Sequence, residues 1–234
     1  AEAVRICVAH GAPMIPRGGG SGVVGGVLAD ADSVVLSTER MVGLRTLSSS
    51  DLLGTFGAGT NGLDAEERMQ AEGLTIGHWP QSIELSTVGG WVATRASGQY
   101  STAYGNIEDV VYGLEAVLAD GSIYRSRDTP RAAAGPDLRH LFVGSEGTLG
   151  IVTEVTFSVR EQPEPGVRQA FHFAEFAAGI EAIRKVMRAG WRPPVVRLYD
   201  GRESWRHFRD QMPKGNAMLI FLHEGPPGLS LIHI

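Results

Sequence analysis

Residues 16–26 read PRGGGSGVVGG, and within them positions 20–25 spell GSGVVG, a literal G-x-G-x-x-G. Two readings compete for this stretch. In the first it is the turn of a Rossmann unit, with a short strand before it, a strand at 33–38 after it, and Glu39 where an acid would meet a ribose. In the second it is a loop that wraps a phosphate group with backbone N–H donors and needs no long helix behind it. The residues that follow decide. A Rossmann crossover helix would have to occupy 22–32, GVVGGVLADAD, where two adjacent glycines each cost about 1 kcal/mol against alanine. A parallel crossover also usually needs about a dozen residues or more. A plain surface turn, for its part, would not need Gly18, Gly19, Gly20, Gly22, Gly25 and Gly26 together.

The phosphate-cradle reading predicts further loops rich in glycine and hydroxyls far along the chain. STVGG (86–90), RASG (95–98) and GSEGTLG (144–150) meet it. Several such segments suggest convergence on one long polar ligand.

The bulk composition agrees with a folded, mildly acidic protein. The chain has 234 residues, 43% of them hydrophobic, with a formal net charge of −5. That supports a sizeable core and argues against nucleic-acid or anionic-membrane partners. Cys7 is the single cysteine, so no internal disulfide and no cysteine metal site is available. No apolar run approaches the roughly 18 residues of a membrane span, and no signal-peptide pattern opens the chain. The chain starts without Met inside a helical pattern and stops at PPGLSLIHI, so a fragment is expected.

Local patterns give the remaining elements. A helix is expected at 2–10, strands at 12–17 and 33–38, a glycine-broken strand at 52–60, and a helix at 61–73 capped by Asn61. Residues 77–106 hold little regular pattern, although Trp79, Trp91, Tyr100 and Tyr104 argue against disorder. Residues 110–126 read as a hairpin turning at Asp120-Gly121, 137–147 as a short helix, and 148–160 as a long strand. EQPEPG (161–166) marks a boundary, and a βαβαβ pattern follows it.

PRGGGSG, QSIELSTVGGWVATRASG, YGNIEDVV and GSEGTLGIVTE together resemble the FAD-binding domain of the vanillyl-alcohol-oxidase (PCMH-type) flavoproteins. Within that superfamily GH-x-P, STVGGWVATRASG, YGNIED and GPD-x-x-H, in this order, are most similar to alkyl-dihydroxyacetonephosphate synthases. The resemblance implies an α+β fold: a two-subdomain PCMH-type FAD-binding domain over 1–162, then the start of an α+β substrate or cap domain over 163–234. It implies that FAD is met by Pro16, Arg17, Gly18, Gly19, Gly20, Ser21 and Gly22; by Gln81, Ser82, Ile83, Glu84, Leu85, Ser86 and Thr87; by Thr94, Arg95, Ala96 and Ser97; and by Glu146, Gly147, Thr148, Leu149, Gly150, Ile151 and Val152. On this reading the glycines bring amides to the pyrophosphate, while Ser86, Thr87, Thr94 and Ser97 supply hydroxyls. The family often has Asp where Gln81 stands. Relatives with covalent flavin carry His near Ser21, and serine cannot form that bond, so FAD is expected to be held non-covalently.

The implied reaction exchanges the acyl group of acyl-dihydroxyacetonephosphate for a fatty alcohol, with the cofactor supplying the chemistry and the protein orienting it. The alternatives are an FAD-linked oxidoreductase of D-2-hydroxy acids of the lactate or glycolate type, or an inactive FAD-binding fragment. A small-molecule or lipid-phosphate substrate is implied, and a homodimer stays open as the assembly. A cytoplasmic location is expected, peroxisomal in a eukaryote.

Three residues are candidates for the chemistry. His78 is an acid–base or orienting group, or else a hydrogen-bonded structural histidine. Arg197 lies on an apolar strand where a charge needs a partner; the resemblance turns it toward the flavin, and a salt bridge to Asp200 is the rival reading. Ser145 is either a hydrogen-bonding group for flavin or substrate or a turn-stabilising serine. Tyr100 and Tyr104 read as packing rather than catalytic, and Glu108-Asp109, which resembles a paired-carboxylate site, as a solvated strand entry. His207 and His223 have no ligand-spaced partners, so no metal is expected.

Overall fold

The computed structural model describes residues 1–127, 129–130 and 133–225. Helix α1 (Glu2–Ala9) leads into strand β1 (Met14–Arg17), which lies parallel beside β2 (Val34–Ser37) in register from Met14↔Val34 to Arg17↔Ser37. No helix forms between the two strands. The glycine pairs that weaken a crossover helix in the sequence leave the segment as loop and turns.

The chain then runs through β3 (Leu44–Ser48), β4 (Leu53–Gly57), α2 (Gly62–Gln70), β5 (Leu74–Thr75), α3 (Val88–Ala93), α4 (Ser101–Tyr104), α5 (Ile107–Val110), β6 (Val111–Val117) and β7 (Ile123–Arg125). It continues with α6 (Arg139–Phe142), β8 (Ile151–Ser158), β9 (Arg160–Glu161), β10 (Val167–Phe173), α7 (Phe176–Arg188), β11 (Val195–Tyr199), α8 (Gly201–Phe208) and β12 (Ala217–His223). These form two compact units. The first comprises Ala1–Gly98 and Gly105–Gln162; the second comprises Gln99–Tyr104 and the chain from Pro163 onward.

The first unit is organised on an antiparallel sheet of order β3-β4-β8-β6-β7. Its strands present Phe56, Leu114, Val155 and Phe157 to a core that also takes Met69 from α2 and Trp91 and Val92 from α3. Burying a side chain such as Phe56 or Phe157 contributes about 1.5–3 kcal/mol. α2 starts where the sequence places it: the Asn61 side chain accepts from the Leu63 amide at 2.8 Å. The β6–β7 hairpin turns through Asp120-Gly121 as read from the sequence, with Gly121 N–H donating to the Leu118 carbonyl at 2.9 Å.

Three features depart from expectation. Residues 77–106, read as irregular, contain α3 and α4. The strand β3 has no counterpart in the sequence reading. Glu108 and Asp109 form the helical turn α5 and not a solvated strand entry; the Asp109 carboxylate accepts from the Asn106 amide at 2.8 Å.

One buried charge ties α2 to the segment that carries His78. The fully buried Glu66 carboxylate accepts from the Thr75 hydroxyl, from the Ile76 amide at 3.0 Å and from the Gln70 side-chain amide at 3.2 Å. Replacing one carboxylate oxygen by an amide nitrogen sets donor against donor. Glu66→Gln is therefore expected to lose about 1–2 kcal/mol in urea unfolding at neutral pH. An unchanged midpoint and slope would show that these hydrogen bonds carry no net stability.

The second unit is a three-stranded antiparallel sheet of order β10-β12-β11 with α7 and α8 packed on it. The βαβαβ order of the sequence thus places β10 and β11 parallel to one another, each antiparallel to the central β12. α7 closes on the face that holds Leu198: a Cβ built on Gly179 would lie 2.6 Å from Leu198 Cδ1.

Candidate cofactor site

Within the first unit, the four segments named for a cofactor fold against one another. The loop leaving β1 lies on the 81–87 segment so closely that a Cβ built on Gly18 would sit 2.4 Å from Thr87 Oγ1. One built on Gly19 would sit 2.0 Å from the Leu85 carbonyl oxygen. On its other side Pro16 meets the loop before β8, since a Cβ on Gly147 would fall 2.7 Å from Pro16 Cγ. That loop is in turn hydrogen-bonded to the end of α3: the Gly144 amide donates to the Val92 carbonyl and the Glu146 amide to the Ala93 carbonyl, each at 2.9 Å. Thr94, Arg95, Ala96 and Ser97 follow directly.

The donor set of this convergence suits a polyanion. Among the described residues, the N–H groups of Gly18, Gly19, Gly20, Ser21 and Gly22 donate to no protein acceptor. Successive unpaired backbone N–H groups make an anion-binding concavity. Arg17 folds over the same loop, its Nε and Nη2 each 3.2 Å from the position of a Cβ on Gly20. Arg17 and Arg95 are exposed and enter no ion pair among the described residues. Backbone strain concentrates here too. Of the three non-glycine residues with positive φ among the described residues, Leu52, Arg95 and Glu146, the last two lie in these segments, at +50° and +49°. Such conformations persist where the surroundings over-determine them, and they cluster at ligand clamps.

The hydroxyls also have partners within the fold. Ser86 Oγ accepts from the Trp91 indole at 2.7 Å, and Thr87 Oγ1 caps α3 by accepting from the Gly90 amide at 3.3 Å. Thr94 Oγ1 donates to the Gly90 carbonyl at 2.9 Å, and Ser97 Oγ to Asn106 Oδ1 at 2.7 Å. Thr94 and Ser97 thus spend their hydroxyl protons inside the fold, whereas Ser86 and Thr87 only accept there and keep an O–H donor, so these two hydroxyls, the backbone and the two arginines are left for a ligand. Ser82 likewise acts through its carbonyl, which accepts from the Leu85 and Ser86 amides at 2.8 Å. Ile83 is a core residue, whereas Gln81, Glu84 and Leu85 are exposed. Thr148 Oγ1 donates to the Ser145 carbonyl at 2.6 Å, Leu149 is exposed, and Gly150 packs against the Val117 carbonyl. Ile151 and Val152 open β8, with Val152 in the core.

Of the three candidates for chemistry, His78 and Ser145 lie in the first unit and Arg197 in the second. His78 is fully buried, its ring edge-on to Trp91 at 4.9 Å, and among the described residues neither ring nitrogen has a hydrogen-bond partner. The hydrogen bond expected of a structural histidine is thus not made among the described residues. Burial in an apolar setting pushes the His78 pKa down to about 4, so the ring is neutral at neutral pH. Ser145 Oγ donates to the Phe142 carbonyl at 2.9 Å, the turn-stabilising arrangement. Arg197, in the second unit, makes no salt bridge to Asp200, whose carboxylate caps α8 by accepting from the Arg202 and Glu203 amides at 3.0 and 2.8 Å. Its Nη2 donates to Gln99 Oε1 at 2.9 Å. Gln99 is the residue the sequence reading missed; a glutamine in a long polar loop carries no signal of what it will face.

A glycine-lined loop with unpaired amides, flanked by arginines and braced by distant loops, has the make-up of a phosphate-binding cradle outside the Rossmann class. The family described as "FAD binding domain" matches residues 1–127, more than half of the chain, and the chain belongs to that family. It is 39% identical over 226 residues to the "Uncharacterized FAD-linked oxidoreductase YgcU" of Escherichia coli (strain K12), covering 96% of this chain and 46% of that protein. It is 35% identical over 226 residues to the "Alkyldihydroxyacetonephosphate synthase" of Caenorhabditis elegans, covering 94% of this chain and 36% of that protein. A solved alkyldihydroxyacetonephosphate synthase superposes with a TM-score of 0.86 at 28% identity, over 97% of this chain and 45% of that one. The chain is thus a PCMH-type, α+β FAD-binding chain, and it spans less than half the length of these relatives. Among the described residues no helix is long and apolar enough to cross a membrane.

Proposed function

We propose that this chain holds FAD non-covalently across Pro16–Gly22, Gln81–Thr87, Thr94–Ser97 and Glu146–Val152, as part of a flavoenzyme of alkyl-dihydroxyacetonephosphate synthase type. The observation that carries the reading is the packing of these four segments on one another around a run of unpaired amides. In it the amides of Gly18 to Gly22 bind the pyrophosphate, Arg17 and Arg95 offset its charge, and the Glu146–Val152 turn flanks the remainder. Bound FAD supplies the flavin ring on which such enzymes work. Ser21 offers no nitrogen nucleophile for a covalent flavin link. Arg197 offers a guanidinium to a substrate carboxylate, a group common to a departing fatty acid and to a 2-hydroxy acid. His78, neutral and enclosed, holds its place against Trp91 and moves no proton at neutral pH.

A second reading, an FAD-linked oxidoreductase of D-2-hydroxy acids, is favoured by the 39% identity to an FAD-linked oxidoreductase. The two separate in one experiment on the full-length, FAD-loaded protein. A synthase incorporates labelled fatty alcohol into the ether product and releases the fatty acid, with no net oxidation or reduction. An oxidoreductase bleaches the flavin absorbance anaerobically on addition of D-lactate or glycolate. The purified protein is expected to be yellow, and acid precipitation is expected to leave the flavin in the supernatant. Flavin that stays with the pellet overturns the non-covalent assignment, and a colourless protein that takes up no FAD overturns the proposal as a whole.

A further inference from the structure

We propose that Gln99 is the positioning residue for Arg197 and sets the strength with which that guanidinium takes a substrate carboxylate; this rests on the carboxylate role given to Arg197 above. The registers of the second unit put three rows of side chains on one face of its sheet: Arg168, Leu222 and Val195; Ala170, Ile220 and Arg197; His172, Met218 and Tyr199. No carboxylate stands among them. The nearby acids of the second unit are engaged elsewhere, Asp200 in capping α8, Glu203 against His207, and Glu224 in accepting from the Tyr104 hydroxyl. Arg197 accordingly enters no ion pair among the described residues, and its one described hydrogen-bond partner is the neutral Gln99 side chain at 2.9 Å.

The position of Gln99 is itself fixed. Gln99–Tyr104 belongs to the second unit while the chain on either side belongs to the first. Where it departs and returns, the chain is closed by the Ser97 hydroxyl donating to Asn106 at 2.7 Å and the Ile107 amide donating to the Ala96 carbonyl at 3.4 Å. At its far end α4 packs on β11, and Tyr104 holds Glu224. An amide oxygen presented in this way fixes one edge of the guanidinium without neutralising it, and leaves its other donors for an anion.

The test titrates oxalate, a small dicarboxylate, into the full-length FAD-loaded protein and reads the heat of binding by calorimetry. Gln99→Ala frees the guanidinium and is expected to weaken the oxalate Kd about tenfold, the scale of one hydrogen bond to a charged group. Gln99→Glu keeps the shape but places a carboxylate on Arg197, and is expected to weaken it further than Ala does. A merely structural glutamine gives the reverse order, with the near-isosteric Glu the milder change. Either that reverse order or wild-type oxalate affinity in both variants overturns the role of Gln99. Arg197→Lys separates the two layers. If it binds oxalate like wild type, or if wild type takes no oxalate, the carboxylate role of Arg197 fails. If it weakens binding while both Gln99 variants do not, only the positioning role fails.

Discussion

Gly19→Ala is expected to abolish flavin retention, weakening FAD binding by about a hundredfold or more, a loss of about 2.7 kcal/mol. The reason is what a methyl group would strike. A Cβ at this position lies 2.0 Å from the Leu85 carbonyl oxygen, 3.1 Å from its carbon and 3.3 Å from Ser86 Cα. Every one of these atoms is backbone, so no side chain can swing away. The strain must be relieved by separating the 16–22 loop from the 81–87 segment. Gly18 reinforces the point on the same seam, where the obstacle is Thr87, the cap of α3. The seam aims the unpaired amides, and opening it scatters them. Gly22→Ala is the matched control: nothing lies within 4 Å of its Cβ, and the change keeps the N–H donor. It is expected to bind FAD within about threefold of wild type, a difference of about 0.7 kcal/mol. The measurement is the flavin-to-protein ratio on purification, followed by titration of the flavin-free protein with FAD. Equal affinity in the two variants would show that close packing of the loop on 85–87 plays no part in holding the cofactor.

What the sequence reveals and what it hides divide along physical lines. The rejection of a Rossmann crossover depended on intrinsic helix cost, a local quantity, and β1 and β2 do lie side by side with no helix between them. The elements of the second unit were legible for the same reason: the apolar run of β12 and the apolar stripe of α7 are local signals, and Asp200 is a local cap for α8. β3 escaped because LRTLS is an edge strand with a half-exposed pattern, paired only to β4. α3 escaped because VGGWVA carries two helix-weakening glycines. It forms through tertiary contacts, with the Thr87 cap below and the Gly89 amide donating to the Ala58 carbonyl at 2.8 Å. At the site, the convergence of glycine loops was visible as composition. The duty of each hydroxyl was not, since nothing in STVGGW tells that Ser86 will receive the Trp91 indole. Positive φ at Arg95 and Glu146 leaves no trace in residue type either, because the glycine that would announce it is absent.

The last expectation concerns acid. His78→Leu is expected to remove about 3 kcal/mol of acid lability from the fold. In the unfolded chain the imidazole protonates near 6.5; in the folded chain, buried beside Trp91 with both nitrogens unpartnered, it does not do so until about pH 4. The folded pKa is the lower one, so between these values the unfolded state binds more protons than the folded state. Stability contributed by the neutral ring is complete above 6.5 and is lost progressively as the pH falls toward about 4. Each pH unit across that gap is worth about 1.36 kcal/mol, which gives the figure of about 3. Leucine has no proton to take up and leaves no unpaired nitrogen in the core. At neutral pH the variant is therefore expected to unfold at the same urea concentration as wild type or a higher one. Carboxylates elsewhere also titrate on the way down, but they do so in both proteins, and the difference between the two curves isolates this ring. The measurement is urea unfolding of each protein at a series of pH values across the gap. Parallel curves would mean that the ring takes up its proton without unfolding and has access to water or a partner. In that case an acid–base role at neutral pH returns to His78. Divergent curves assign any activity step near neutral pH to another group, because a histidine that stays uncharged until about pH 4 has no protonation change to contribute there.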